Sequence, residues 1–309
     1  MRFISVVPLA CAIVLCVPAC ASEDVLDATL VAELDRLDAL LTKAEAAGLP
    51  ADFAGVIKPN REILANVRAT KSPLLKLYRL RDGFIGVETI AFVAEHKTTD
   101  INAFVKLWNA RKPRFDAKAQ APAGVRLQTA LAQAATNRAA KLFRASLPYG
   151  KASGPMSGVY YLGEAEANFA FRAFLDRLKV DGEDATMRPT HAMLTNAADM
   201  LEDEMLNVFA ADPGSNNMVA VSVRLKEVRE LLDQQQLDGA TLMLLETRLA
   251  LSRRAPKPAV TLTPSTASAT NDTLIRVFDA SARESDGETP ALIRTSVFPL
   301  YAALARSKP

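Results

Sequence analysis

The sequence predicts an all-α protein, an irregular helical bundle or a stack of helical hairpins, and not a regular repeat solenoid. Half of the 309 residues are hydrophobic, whereas only 13 are glycine and 6% are aromatic. Alanine and leucine, the strongest helix formers, are abundant, and alternation of β-branched residues is scarce. The segments between turn residues differ in length, so no fixed period supports a solenoid.

The helices are predicted from apolar periodicity and turn residues. In the first, Leu30, Leu34, Leu37, Leu41 and Ala44 share one face. The predicted helices run from Asp24 to a stop at Gly48 and Pro50, then over about 60–70, 73–96 with a break at Asp82-Gly83, 100–111, 123–146, 156–180, 189–211, 216–235 and 239–254. The short Leu237-Asp238-Gly239 connection predicts an antiparallel hairpin for the last two helices.

Residues 1–21 have the pattern of a secretory signal peptide. Arg2 precedes an apolar or small run over 3–17, which is too short to span a bilayer. Residues 19–21 fit a small-x-small cleavage site before Ser22. We therefore expect a periplasmic or secreted protein.

Residues 17–20 also resemble the lipobox of bacterial lipoproteins, in which Cys20 would carry the lipid. Pro18 departs from that pattern, which favours simple cleavage, and the alternative is a membrane-anchored lipoprotein through Cys20. All three cysteines lie within residues 1–20. The processed chain would hold no disulfide, and no later stretch has the roughly 18 apolar residues of a membrane span.

The chain divides into a signal peptide (1–21), a helical domain (22–254), a linker (255–272) and a short helical tail (273–309). The linker is predicted because residues 255–272 are rich in Pro, Ser, Thr and Ala without helical periodicity. The tail is too small to hold a core of its own, so it is expected to pack on the main domain or on a partner.

Charge is polarised along the chain although the net charge is only +2. Residues 98–151 hold ten Lys and Arg against two acids, and residues 163–213 hold eleven acids against four Lys and Arg. These segments are either solvated helix faces that attract one another or a basic face for an anionic partner. Arg138, Lys141 and Arg144 lie roughly on one side of their helix and are candidate binding residues. Nucleic acid is not an expected partner.

Residues 148–174 concentrate glycines and aromatic residues. This pattern predicts either tight helix packing around a buried aromatic layer or a pocket or contact surface. Tyr149, Tyr160 and Tyr161 are therefore candidate binding residues. Because neighbouring residues of a helix point in different directions, at least one hydroxyl of Tyr160 and Tyr161 would face a ligand or a partner.

No motif predicts catalysis, a metal site or a cofactor. His96 and His191 are isolated, and the carboxylates of 202–204 diverge around a helix. The methionines between 187 and 218 are interpreted as core residues. Ser157 lacks the frame of a nucleophile elbow, and no glycine-rich phosphate loop is present.

We expect an exported, non-catalytic binding or interaction protein of the bacterial cell envelope, with an unknown envelope protein or an anionic surface as partner. The alternatives are an envelope hydrolase of the glycosidase type that uses dispersed carboxylates, or a carrier of a small ligand between helices. A deep cavity beside Tyr160 or Tyr161 would indicate the carrier. Two carboxylates about 5–10 Å apart in a cleft would indicate the hydrolase, and an exposed apolar strip the interaction protein.

Overall fold

The structure, a computed structural model, describes residues 19–116, 126–178, 180, 190–211 and 217–252. These residues form nine α-helices and one short 3-10 helix in a packed bundle without a regular repeat, which confirms the predicted fold class. In chain order they are α1 (Ala19–Ala46), the 3-10 helix (Ala51–Val56), α2 (Ile57–Ala69), α3 (Pro73–His96), α4 (Ile101–Asp116), α5 (Arg126–Ala152), α6 (Pro155–Arg177), α7 (His191–Ala211), α8 (Asn217–Asp233) and α9 (Leu237–Ser252). Residues 1–18 of the predicted signal peptide, the predicted linker and the predicted tail lie outside the described residues.

The apolar face predicted for the first helix is buried in the structure. Its four leucines have no exposed surface, and Ala44 is 3% exposed, because this face packs on α3. The helix ends as predicted before Gly48, whose φ of 73° is a left-handed conformation that stops a helix. It begins at Ala19, upstream of the predicted start at Asp24.

The break predicted at Asp82-Gly83 is wrong, since α3 runs without interruption from Pro73 to His96. The glycines of this helix serve packing instead. A Cβ atom at Gly83 would lie 3.0 Å from Leu64 Cδ2, and one at Gly86 would collide with Asn60 Oδ1. The two glycines therefore let α2 lie close against α3, and packing offsets their low helix propensity.

The connection between the last two helices also lies slightly off its predicted place. Helix α8 ends at Asp233 and α9 begins at Leu237, so the predicted turn residues form the first turn of α9. The chain reverses at Gln235, whose φ is 58°. The two helices pack against each other, as the short connection predicts.

Three apolar clusters hold the described residues together. The largest lies among α1, α2, α3, α5 and α6 and includes Leu242 and Leu245 of α9. The second lies among α7, α8 and α9. The third joins α3, α4, α5 and α6 around Phe104. Helix α9 therefore contributes to two clusters.

None of the helices among the described residues is both long enough and apolar enough to cross a bilayer.

Candidate functional site

A cleft of about 560 Å³ opens between α8 and α9 on one side and the 3-10 helix, α2, α3 and α6 on the other. Helix α5 contributes its floor through Ala134, Ala135 and Arg138. The volume lies within the range of pockets that hold small molecules. The remaining lining residues are Phe53, Val56, Asn60, Arg81, Asp82, Ile85, Gly86, Thr89, Ile90, Val93, Tyr160, Glu164, Asn168, Ala220, Val223, Arg224, Glu227, Met243 and Glu246.

The wall formed by α8 is a single stripe of that helix. Ala220, Val223, Arg224 and Glu227 are spaced by three and four residues, so their side chains share one face. Val223 is 43% exposed, so its apolar side chain is accessible from the cleft. The stripe thus presents an apolar half and a charged half to the cleft.

Helix α9 is tied to α3 by a polar group that we call the Glu246 cluster (Tyr78, Arg81, Asp82 and Glu246). Glu246 Oε1 accepts hydrogen bonds from Tyr78 Oη at 2.9 Å and from Arg81 Nη1 at 2.8 Å. Arg81 also contacts the exposed Asp82 at 3.2 Å. Burial, and next the charge of Glu246, raise the pKa of the Tyr78 hydroxyl, which therefore stays protonated.

A second group, the Glu227 cluster (Arg138, Lys141, Glu164 and Glu227), ties α8 to α5 and α6. Arg138 Nη1 donates to Glu227 Oε1 at 2.6 Å, and Arg138 Nη2 donates to Glu164 Oε1 at 3.4 Å. Lys141 Nζ reaches the same Glu227 oxygen at 3.2 Å. These cations neutralise both carboxylates.

Arg224 differs from the other two arginines of the cleft. Its recorded contact among the described residues is a hydrogen bond from Nη1 to the backbone oxygen of Glu246 at 3.4 Å, and no carboxylate there forms an ion pair with it. Arg81 and Arg138, by contrast, each pair with two carboxylates. The guanidinium of Arg224 therefore keeps most of its hydrogen-bonding capacity.

The predicted tyrosines form one continuous aromatic row with Phe53. Tyr160 stacks on Phe53 with ring centroids 5.5 Å apart, and Tyr161 meets Tyr160 edge-on at 5.8 Å. Tyr149 stacks on Tyr161 at 4.4 Å and is 46% exposed. Tyr160 lines the cleft, and no described residue hydrogen-bonds its hydroxyl. Burial, and next the charge of Glu164, raise the pKa of this hydroxyl.

The structure brings two of the three predicted basic residues together and leaves the third apart. Arg138 lines the cleft and shares Glu227 with Lys141, which also contacts Glu230. Arg144 is exposed, without an ion pair among the described residues. It diverges because each step of three residues turns the side chain by about 60° around the helix axis, so that two steps add up to about 120°.

The two oppositely charged segments contact each other through several of their members. Arg111 and Arg114 of α4 approach Glu166 of α6, and Arg138 approaches Glu164. The described contacts therefore support mutual attraction of helix faces for these residues.

Several cleft residues escaped the sequence analysis. Arg81, Arg224 and Glu246 come from three helices, and neither a motif nor a shared spacing links them. The sequence signal for this part of the cleft was weak. It consisted of two apolar residues, Val219 and Val223, which share a face of α8 that is exposed in the structure.

Among the described residues, no group of three or more His, Cys, Asp or Glu side chains is placed to hold a metal ion. Met193, Met205 and Met218 lie in the second apolar cluster, which confirms their interpretation as core residues. The interpretation is wrong for Met200, which is 60% exposed. Met187 lies outside the described residues.

Helices α7 and α8 carry most of the large apolar side chains that are exposed in the described part of the chain. They are Met200, Leu206, Phe209, Val219 and Val223. Of these five, Val223 alone lines the cleft.

The fold and the cleft place the chain in a broad class, all-α bundles with a ligand-sized space between their helices. No protein-family model matches the chain, and comparisons with curated proteins and with solved structures also gave no match. The cleft is therefore the feature of the molecule from which a function can be inferred.

Proposed function

We propose that the chain is an exported, non-catalytic binding protein that carries a small, largely apolar ligand in the cleft between α3 and α8. The observation that carries this proposal is the cleft itself, about 560 Å³ in volume and flanked by Tyr160. Twelve of its 22 lining residues are apolar, aromatic or glycine, and the polar ones can orient a ligand, as in small-molecule sites.

The carboxylates of the cleft favour binding over hydrolysis. Glu246 and Glu227 are each held by two hydrogen-bond donors, and Glu164 accepts from Arg138. A glycosidase needs one carboxyl group that gives a proton and a second that attacks or activates water. Carboxylates neutralised by arginine and lysine fit a supporting role better.

Export is supported by the leader-like sequence of residues 1–21. The intact mass of the protein purified from a periplasmic fraction should match a chain that begins at Ser22. A lipid-modified chain that begins at Cys20, found in the membrane fraction, would favour the anchored alternative. An unprocessed chain would contradict the proposed export.

Filling the cleft should weaken binding of an apolar probe. Ala220 and Val223 are exposed on the cleft face of α8, so tryptophan at either position would occupy the space without disturbing the core. We expect Ala220→Trp and Val223→Trp to weaken binding of N-phenyl-1-naphthylamine about tenfold or more, measured by its fluorescence.

Ser222→Trp is the matched control, because Ser222 is exposed on the same helix and does not line the cleft. This variant should bind the probe as the unmodified protein does. Equal affinities in all four proteins would place the probe elsewhere and would contradict the proposal.

A further inference from the structure

We infer that the ligand of the cleft is an amphipathic monoanion, an apolar body with one carboxylate-like or sulfonate-like group, and that Arg224 binds this group. The inference rests on the proposed function and specifies its ligand class. It depends on the contrast between Arg224 and the other charged side chains of the cleft.

The other two arginines of the cleft are each held by two carboxylates. Arg81 is bound by Glu246 and Asp82, and Arg138 by Glu227 and Glu164, at distances from 2.6 to 3.4 Å. Lys141 adds a second positive charge at Glu227. Among the described residues that line the cleft, this leaves Arg224 as the cation without a carboxylate partner.

The position of Arg224 suits an amphipathic molecule. It follows Val223 directly and lies one turn from Ala220, so an apolar body against these two residues would bring its polar end to the guanidinium. A guanidinium presents five N–H donors in a planar fork that matches a carboxylate. At 3.4 Å, its bond to the Glu246 backbone oxygen uses only one of these donors.

A single charge fits this site better than two. The lining also includes Asp82, Glu164, Glu227 and Glu246, and a dianion such as a phosphate monoester would be repelled by those carboxylates. Arg224 can bind one anionic group, whereas a second negative charge on the ligand would meet only these carboxylates.

A matched pair of probes separates charge recognition from apolar binding. 1-Anilinonaphthalene-8-sulfonate carries one sulfonate, and N-phenyl-1-naphthylamine has the same rings without it. We expect Arg224→Gln to weaken binding of the sulfonate probe about tenfold, because the variant loses the charge-assisted hydrogen bonds to the sulfonate. Binding of the neutral probe should change less than about twofold.

Lys226→Gln is the control for overall charge. Lys226 is exposed on the same helix and does not line the cleft, so its removal should leave both affinities unchanged. Arg224→Lys retains the charge and should keep most of the affinity for the sulfonate probe. Raising the salt concentration should weaken sulfonate binding in the unmodified protein more than in Arg224→Gln.

The outcomes distinguish the two proposals. If Arg224→Gln binds the sulfonate probe normally, or if Lys226→Gln loses as much affinity, the inferred monoanion is wrong while the carrier function stands. If Ala220→Trp leaves both affinities unchanged, the probes do not occupy the cleft and the carrier function fails as well. Circular dichroism at equal protein concentration verifies that every variant is folded.

Discussion

At the scale of single residues, Phe104 explains why α5 and α6 each contain a glycine where they meet, although glycine is a poor helix former. This ring has no exposed surface and lies where α5 and α6 meet. A Cβ atom at Gly158 would be 2.5 Å from Phe104 Cζ, and one at Gly150 would also collide with the ring. The glycines therefore admit an aromatic ring that a side chain at either position would displace.

Adding one methyl group at this site should destabilise the protein. We expect Gly158→Ala to lower the free energy of unfolding by about 1–3 kcal/mol, because overpacking outweighs the gain of about 1 kcal/mol in helix propensity. Urea denaturation followed by circular dichroism measures the change. Gly55→Ala is the control, since no atom lies within 4 Å of its added Cβ.

A double-mutant cycle tests whether contact with the Phe104 ring causes the destabilisation by Gly158→Ala. In a Phe104→Leu background, the cost of Gly158→Ala should fall in part, because the contact with the ring is relieved while the added Cβ atom would still lie 2.7 Å from the Cα of Gly150. An unchanged cost would show that another contact is responsible.

At the scale of helices, the Glu166 carboxylate links α6 to α4 although only one of its two oxygens accepts a hydrogen bond. Glu166 is 8% exposed, and its Oε2 accepts from Arg114 Nη1 at 2.5 Å while its Oε1 has no hydrogen-bond partner. Arg114 in turn lies over the ring of Phe169 at 4.2 Å. Burial raises the pKa of the Glu166 carboxyl, and the charges of Arg114 and then Arg111 act in the opposite direction.

This pKa shift predicts a pH dependence of stability. Because the folded protein holds the Glu166 proton more tightly than the unfolded chain does, the contribution of this group is present below the ordinary pKa of 4.5 and is lost as pH rises through the raised pKa. We therefore expect Glu166→Gln to gain stability relative to the unmodified protein between about pH 4 and pH 7. Urea titrations across this range measure the difference.

Glu62→Gln controls for the general effect of removing a carboxylate. The Glu62 side chain is 62% exposed, so its replacement should not alter the pH profile. If the Glu166→Gln variant instead becomes less stable than the unmodified protein toward pH 7, the ion pairs with α4 stabilise the protein more than the burial of the charged carboxyl destabilises it.

At the scale of the whole molecule, α9 connects the α7–α8 pair to the rest of the bundle. Leu242 and Leu245 belong to the largest apolar cluster, whereas Leu244 and Leu251 belong to the cluster of α7, α8 and α9. The Glu246 cluster adds a polar tie to α3. The cleft therefore lies between parts that share one helix, and we expect them to unfold together.

Cooperative unfolding can be tested because the chain has one tryptophan. Trp108 lies in α4 beside the third apolar cluster and stacks on Phe143 at 4.6 Å, away from α7. We expect Leu244→Ala to lower the free energy of unfolding by about 2–5 kcal/mol. Trp108 fluorescence and circular dichroism should report the same urea midpoint.

Leu131→Ala in the largest cluster provides the comparison, since Leu131 is also fully buried. Both variants should shift the two signals equally. A circular dichroism step in Leu244→Ala that fluorescence does not follow would show that α7–α9 unfolds as a separate unit.

The helices were predictable from the sequence because their signals are local. The leucines of α1 repeat every three or four residues, and Ser72 before Pro73 marks the start of α3, where its side chain accepts from the Leu75 amide. The break at Gly83 was predicted from the low helix propensity of glycine, and this prediction is wrong because propensity does not include the packing of α2 at that position. Tyr160 and Arg138 were predicted as binding residues from composition and charge, and both line the cleft.

The cleft as a whole depended on contacts between residues far apart in the chain. Glu246 is 165 residues from Arg81, and Arg138 is 89 residues from Glu227. In these pairs, carboxylates bind two of the arginines, whereas Arg224 has no carboxylate partner among the described residues. The folded arrangement therefore determines which cation is available to a ligand. Local periodicity specifies which face of a helix is buried, but only the packing of several helices decides where a space remains between them and which charges face it.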